Sequence, residues 1–276
     1  MTTAVVNTVG SSATAPRGAR TAIRQTIAMA KRSTKEIFRQ PALVAPSMVF
    51  PIFFAALGAS SYGRATALPG FPEVDSYLQF SLAATIVQGV LFGSVTGAAA
   101  MATDIQNGFF DRLLLSPTTR TGILIGRLAG SAIFGAFQAA FFIAALWPFG
   151  ATIRSGFAGA AVMVVSGGIV ALAIGSLMSA VAIKTGSAEA VQGSFPLLFI
   201  LLFFSSAFFP RETMSGVYRR IADINPVSYL VEGLRELVVQ GFSLSALARA
   251  ILIPAVICVF ALLVALGQLR RRLAAR

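Results

Sequence analysis

Polar positions are sparse along most of this chain and gather in short stretches between runs that are apolar on every side. The runs fall at about Leu43–Ala59, Tyr77–Ala102, Ile123–Trp147, Phe157–Ile183, Gln192–Phe209 and Ala250–Leu269. A hydrocarbon core of about 30 Å takes roughly 20 helical residues to cross, at about 1.5 Å each. Lipid offers the backbone no hydrogen bonds, so a crossing segment must be a helix or part of a closed barrel. Barrel strands alternate polar and apolar residues over about ten positions, and these runs do not. The pattern predicts an all-α integral membrane fold with six transmembrane helices. Pro46 and Pro51 predict bends in the first, and Pro196 a kink at the start of the fifth.

Three stretches between the runs have patterns of their own. Residues 1–18 are rich in Ser, Thr, Ala and Gly and predict a disordered tail, leaving 19–276 as one membrane domain. From Ala19 to Arg39, Ile23, Ile27, Ala30, Ile37 and Phe38 share a stripe, with Arg24, Lys31, Arg32, Lys35 and Arg39 beside it. That predicts an amphipathic helix lying in the headgroup layer; the plain alternative is a water-exposed helix with a basic face. Between Pro210 and Arg249, Val217, Ile221 and Ile224 repeat at helical spacing, as do Leu230, Leu234, Leu237 and Val238. Asn225-Pro226 starts the second piece, with Asn as cap and Pro in the first turn. Both pieces are too short to span, so a short external re-entrant hairpin is expected between the fifth and sixth runs. An ordinary surface loop with some helix is the alternative.

Composition sharpens the picture. Hydrophobic residues make up 56% of the 276, and charged residues only 12%, about half the share in soluble domains. The formal charge of +12 lies largely at the chain ends. Membrane topology accounts for it better than nucleic acid, and no nucleic-acid partner is expected. Basic residues cluster before the first run and after the sixth, so both termini are expected in the cytoplasm, with Arg112, Arg120 and Arg127 on an inner loop. No cleaved leader is evident, since the first apolar run begins near Pro41. The single cysteine, Cys258, sits in an apolar run, and histidine is absent.

The chemistry is notable for what is missing. No phosphate-cradling Gly-x4-Gly-Lys-Ser/Thr pattern occurs, and no interior position of a run is expected to carry a charge. Proton- or ion-coupled carriers need an ionisable group in the membrane, so uphill transport would have to be powered from elsewhere. The segment Thr103–Pro117 combines acidic residues with apolar ones, and Phe109, Arg112, Leu113 and Ser116 fit one short helix stopped by Pro117. Such a helix on the cytoplasmic side can be a docking plug or a plain connector.

The stretch ATDIQNGFFDRLLLSPTTR, followed by ILIGRL, resembles the inner loop of ABC-2 type permeases, and most of all that of the daunorubicin-resistance type of multidrug exporter. The external INPVSYLVEGLRELV resembles the segment that precedes the last span in that family. Many members open the loop with a Glu-x-Gly-Thr type pattern, where Asp104 and Asn107-Gly108-Phe109 stand here. The resemblance implies the membrane subunit of an ATP-driven exporter in a bacterial plasma membrane, itself no enzyme and binding no cofactor. Its cargo would be a hydrophobic or amphipathic drug or lipid. ATP and Mg would be bound by separate ABC ATPase subunits, and a second membrane subunit, identical or paralogous, would complete the pore within the membrane lipid. Asp104, Asn107, Gly108, Phe109, Asp111, Arg112, Leu113, Ser116 and Pro117 would couple to the ATPase, with a minor contact at Lys184–Glu189. Asn225, Pro226, Tyr229 and Leu234 would belong to the outer gate. A membrane scaffold or integral membrane enzyme is the competing reading, and Asp104, Asp111, Glu232 and Glu236 are its candidate acids.

Two aromatic faces bear on cargo. Phe134, Phe137 and Phe141 align on the third run and Phe195, Phe199 and Phe203 on the fifth; they would line a cavity for a flat lipophilic molecule or simply fill space between helices. Gly89, Gly93 and Gly97 recur every fourth residue, which predicts close approach of a neighbouring helix within the subunit.

Overall fold

The computed structural model describes residues 19–115 and 120–274. The expected tail at 1–18 and the loop residues Ser116 and Pro117 lie outside the described residues. The described chain is all-helical: α1 Ala19–Phe38, α2 Pro41–Tyr62, α3 Tyr77–Gln106, α4 Phe109–Leu115, α5 Arg120–Leu146, α6 Gly156–Thr185, α7 Ala188–Gln192, α8 Phe195–Phe203, α9 Gly216–Ile224, α10 Pro226–Val239 and α11 Leu244–Ala274. Among the described residues, five helices are long and apolar enough to cross a membrane: α2, α3, α5, α6 and α11.

The fifth apolar run is not one helix. α7 ends at Gln192, Gly193 and Ser194 intervene, and Pro196 opens α8. Proline lacks the N–H that would continue a helix but fits a first turn, so the break falls where the sequence removes a donor. The segment still runs the length of α3. Glu189 accepts from Gln106 at the end of α3 (3.1 Å), and the Phe208 carbonyl accepts from Tyr77 at its start (2.9 Å).

α3 is the axis of the bundle, packed by α2, α5, α6 and α10. Its glycines face α5, where a side chain on Gly89 would strike Phe142, one on Gly93 would strike Gln138 and Phe134, and one on Gly97 would strike Ser131. At its start Asp75 receives Arg154 (3.2 Å) and Thr152 (3.1 Å); these bonds, Arg154 first, hold the exposed Asp75 carboxyl below the usual carboxylate range.

Two prolines inside the long helices are answered by buried polar side chains. Pro51 cannot bond the Ser47 carbonyl four residues back, and Gln138 of α5 reaches Ser47 instead, with its amide 3.1 Å from the hydroxyl and 3.4 Å from the carbonyl. Pro254 frees the Ala250 carbonyl, and the Ser166 hydroxyl of α6 donates to it at 2.7 Å. In lipid a freed carbonyl has no water to turn to, so the donor must come from a neighbouring helix.

Candidate functional site

One end of the bundle gathers α4, α7, α1 and the end of α11. Gly108 adopts φ +67°, the left-handed region that glycine reaches without strain, and turns the chain out of α3 into α4. Asn107 caps α3 at this turn. α4 is bedded by Phe110, which is fully buried in a cluster with Ile105 of α3, Ile123 of α5, Ile183 of α6 and Leu269 of α11. One short helix is therefore keyed to four long ones. Asp111 pairs with Arg272 of α11 (3.7 Å), and Arg272 also donates to the Ile183 carbonyl (3.1 Å).

The residues predicted for α4 differ in how far they stand out from the bundle. Phe109 and Leu113 are half-buried, with the Phe109 ring beneath the Arg32 guanidinium (4.0 Å to its centroid). The apolar side chain that stands free is Leu115, 88% exposed, with Arg112 exposed beside it.

Beneath α4 lies an ion network that joins three helices. Arg127 of α5 donates to Asp104 of α3 at 2.7 Å and stands 3.7 Å from Glu36 of α1, while Arg32 of α1 lies 3.7 Å from Asp104. Burial, opposed by Arg127, holds the Glu36 carboxyl above the ordinary carboxylate range. Arg127 is itself only 5% exposed. The expectation that no helix interior carries a charge is corrected here: α5 begins at Arg120, which places Arg127 two turns inside it. Desolvated, it must be paired or coordinated, and Asp104 supplies the partner.

α1 packs more tightly than a helix lying free on a surface. Side chains at Gly126 or Gly130 of α5 would run into Thr26, Met29, Ser33 and Thr34, and the Ser33 hydroxyl donates to the Arg127 carbonyl (3.0 Å). Ile37 is buried there, whereas Ile23 and Ile27 of the expected stripe are exposed. The sequence reading missed Arg32, Glu36, Arg127 and Arg272 as a set. The available signal was Arg127, a charge inside an apolar run.

The opposite end holds the hairpin. Asn225 accepts from the Val227 amide (2.9 Å) to cap α10, and its own amide donates to the carbonyls of Leu201 (2.6 Å) and Phe204 (2.8 Å) at the end of α8. Pro226 occupies the first turn of α10. The Tyr229 hydroxyl donates to the Asp223 carbonyl (2.6 Å), and Leu234 is buried in the core. Arg211 pairs with Glu232, and Arg249 with Glu236. Arg235 was not singled out by sequence. It is 6% exposed, lies 3.7 Å above the Phe80 ring, and donates to the carbonyls of Phe80 (3.2 Å) and Ala207 (3.0 Å). Burial lowers its pKa to about 10, so it stays charged at neutral pH.

The two phenylalanine sets occupy different walls. Phe195, Phe199 and Phe203 form a ladder on α8 (Phe199 to Phe203, 4.6 Å) that meets Phe92 of α3 and Phe54 of α2. Phe134, Phe137 and Phe141 run along α5 and meet Phe38 of α1. Among the described residues no ring contact joins the sets. An apolar cavity of about 270 Å³ opens between α2, α3 and the α7–α8 break, lined by Phe50, Phe92 and Phe195 together with Ser47, Thr96 and Gln192. Of the six predicted residues only Phe195 lines it.

The profile of the family described as ABC-2 type transporter matches residues 24–239. The chain is 29% identical to a daunorubicin resistance ABC transporter permease protein of Streptomyces coeruleorubidus over 224 residues, which cover 79% of this chain and 76% of that one. It is 25% identical over 245 residues to a Mycobacterium tuberculosis protein named "Probable doxorubicin resistance ABC transporter permease protein", with 87% of this chain and 86% of that one covered. The family match takes in α3, α4, the ion network beneath it and the hairpin through α10, and this chain belongs to the ABC-2 type transporter family.

Proposed function

We propose that this chain is the membrane subunit of an ATP-driven exporter that moves a hydrophobic or amphipathic drug or lipid out of the cytoplasm or inner leaflet. A separate ABC ATPase supplies the energy. The observation that carries the reading is the seating of α4: its buried Phe110 is gripped by α3, α5, α6 and α11, while Leu115 and Arg112 project from the bundle. A rigid protrusion set into four long helices passes a partner's motion to all of them together. The chain itself has no Walker-type phosphate loop, and its relatives are named as permease proteins of ABC transporters.

The α4 end faces the cytoplasm in this reading. Arg and Lys greatly outnumber Glu36, Asp104, Asp111 and Glu189 there, whereas at the hairpin end Arg154, Arg211 and Arg249 each have a carboxylate partner. The segment from α7 to Phe208 is a sixth, broken crossing, since it spans the length of α3. The exposed Ile23 and Ile27 of α1 rest in the headgroup layer, and the α9–α10 hairpin enters the outer leaflet to close the path above the cavity. Cargo enters the cavity beside Phe195, a second membrane subunit completes the path, and the α8 ladder lines the way out.

Leu115→Asp, on the exposed tip, should leave the folded subunit intact. In vesicles with its ATPase partner it should lower cargo-stimulated ATP hydrolysis at least tenfold. Stimulation equal to wild type would remove α4 from the coupling role and with it the basis of the proposal.

A further inference from the structure

A second, polar cavity of about 460 Å³ opens at the hairpin end, between the loop at Gly70–Pro72, the start of α3, Pro210–Glu212 and α10. Three guanidinium groups (Arg211, Arg235, Arg249) and three carboxylates (Glu212, Glu232, Glu236) line it. Two guanidiniums are consumed by pairing: Arg211 with Glu232 and Arg249 with Glu236. One charge of each sign is left over. Arg235 is more than nine-tenths buried and has no carboxylate within ion-pair distance among the described residues; it bonds two backbone carbonyls and lies over Phe80, while Glu232 and Glu212 act on its charge from farther off. Glu212 is exposed at the rim and, among the described residues, has neither an ion pair nor a side-chain hydrogen bond.

A buried guanidinium is stable only when its charge is answered. Carbonyl oxygens and an aromatic face answer part of it. The Nη1 group of Arg235 is engaged by neither of the two carbonyl bonds, which use Nε and Nη2. Guanidinium groups favour phosphate oxygens, which they meet in a fixed fork.

We propose that this cavity binds a zwitterionic phosphate–ammonium headgroup, the phosphate on Arg235 and the ammonium at Glu212. The Phe71 ring, tilted against Phe80 with centroids 4.6 Å apart, walls the site on its apolar side. The paired arginines at the rim keep their carboxylates and hold the net charge near zero, so the site selects a zwitterion over a simple anion. The two charges that lack a direct ion pair suit this headgroup whether or not the chain is an exporter, so the site stands apart from the transport reading.

The test uses the full chain in a neutral detergent, with adducts read by native mass spectrometry. The probes are dihexanoyl phosphatidylethanolamine, dihexanoyl phosphatidylglycerol and the water-soluble glycerophosphoethanolamine. Wild type should hold the ethanolamine lipid several-fold more tightly than the glycerol lipid. Arg235→Met should weaken both about tenfold or more, the scale of a lost charged hydrogen bond. Glu212→Gln, on the exposed rim, should leave glycerol-lipid binding intact or stronger and abolish the preference. Because Glu212 is exposed and, among the described residues, makes no ion pair or side-chain hydrogen bond, this arm decides the matter even where Arg235→Met yields no folded protein. Displacement of the lipid by glycerophosphoethanolamine assigns the site to the headgroup alone; failure to displace it assigns the site to membrane lipid. Equal binding of both lipids by wild type, or a preference that survives Glu212→Gln, overturns the proposal.

Discussion

α3 and α11 are nearly equal in length, 30 and 31 residues, and each is long and apolar enough to cross a membrane, yet they are buried in opposite measure. In the most apolar stretch of α3, 94% of residues are buried; in that of α11 the share is 28%. The more hydrophobic of the two stretches is the more exposed one. α11 turns Leu252, Val256, Val259, Phe260 and Leu263 outward, while α3 keeps Gln79, Ser81, Thr85, Gln88, Ser94 and Thr96 inside. In water this ordering would be unstable. In lipid there is no hydrophobic drive between helices, and close packing and polar contacts select what goes inside. Small and polar residues, rather than apolar ones, therefore mark the axis of this bundle.

The strongest way to break the contrast is to give α3 bulk. Gly93→Leu must displace Gln138, which bonds the Gly89 carbonyl at 2.9 Å, and must also push Phe134. Overpacking costs about 3 kcal/mol and an orphaned amide about 1–3 more. The variant should be absent from the monodisperse peak in size-exclusion chromatography. A wild-type profile would mean that α3 and α5 are not in contact at Gly93.

Next in size is a charge on the outer face of α11. Phe260→Lys should cost about 3–4 kcal/mol of insertion free energy, while Phe260→Leu should cost well under about 1. Insertion efficiency of the α11 segment and thermal stability of the full chain measure this. Should lysine be tolerated, Phe260 faces a partner or a water-filled path rather than lipid, and the comparison with α3 changes meaning.

The two helices also differ in how far they could be read without coordinates. Length and lack of charge were enough to place α2, α3, α5, α6 and α11, because a span is set by bilayer thickness. The glycine spacing on α3 gave its contact face, because a missing side chain admits only a close neighbour. The break between α7 and α8 was harder. Pro196 was visible, but the loss of helix at Gly193 and Ser194 depends on what packs there. The partners of Arg127 were illegible, since Glu36, Asp104 and Arg127 come from three helices far apart in sequence and meet only through packing. The exposure of Leu115 was not legible for a similar reason: a seven-residue helix has two apolar sides, and which is buried depends on where Phe110 finds its cluster.

The smallest expected effect tests the polar contacts that set the inner faces. Ser166 is buried in α6, and its hydroxyl bonds the Ala250 carbonyl that Pro254 leaves without a helical donor. Ser166→Ala should destabilise the chain by about 0.6–1.5 kcal/mol, the range for one hydrogen bond in a membrane bundle. Pro254→Ala restores the N–H that the carbonyl lacks, so in that background Ser166→Ala should cost close to nothing. A double-mutant cycle read by thermal unfolding in detergent isolates the coupling between the two positions. If Ser166→Ala costs the same in both backgrounds, the hydroxyl is not answering the proline. Burial of polar residues here would then follow from side-chain size alone, and the freed carbonyl would be satisfied by a bend in α11 itself.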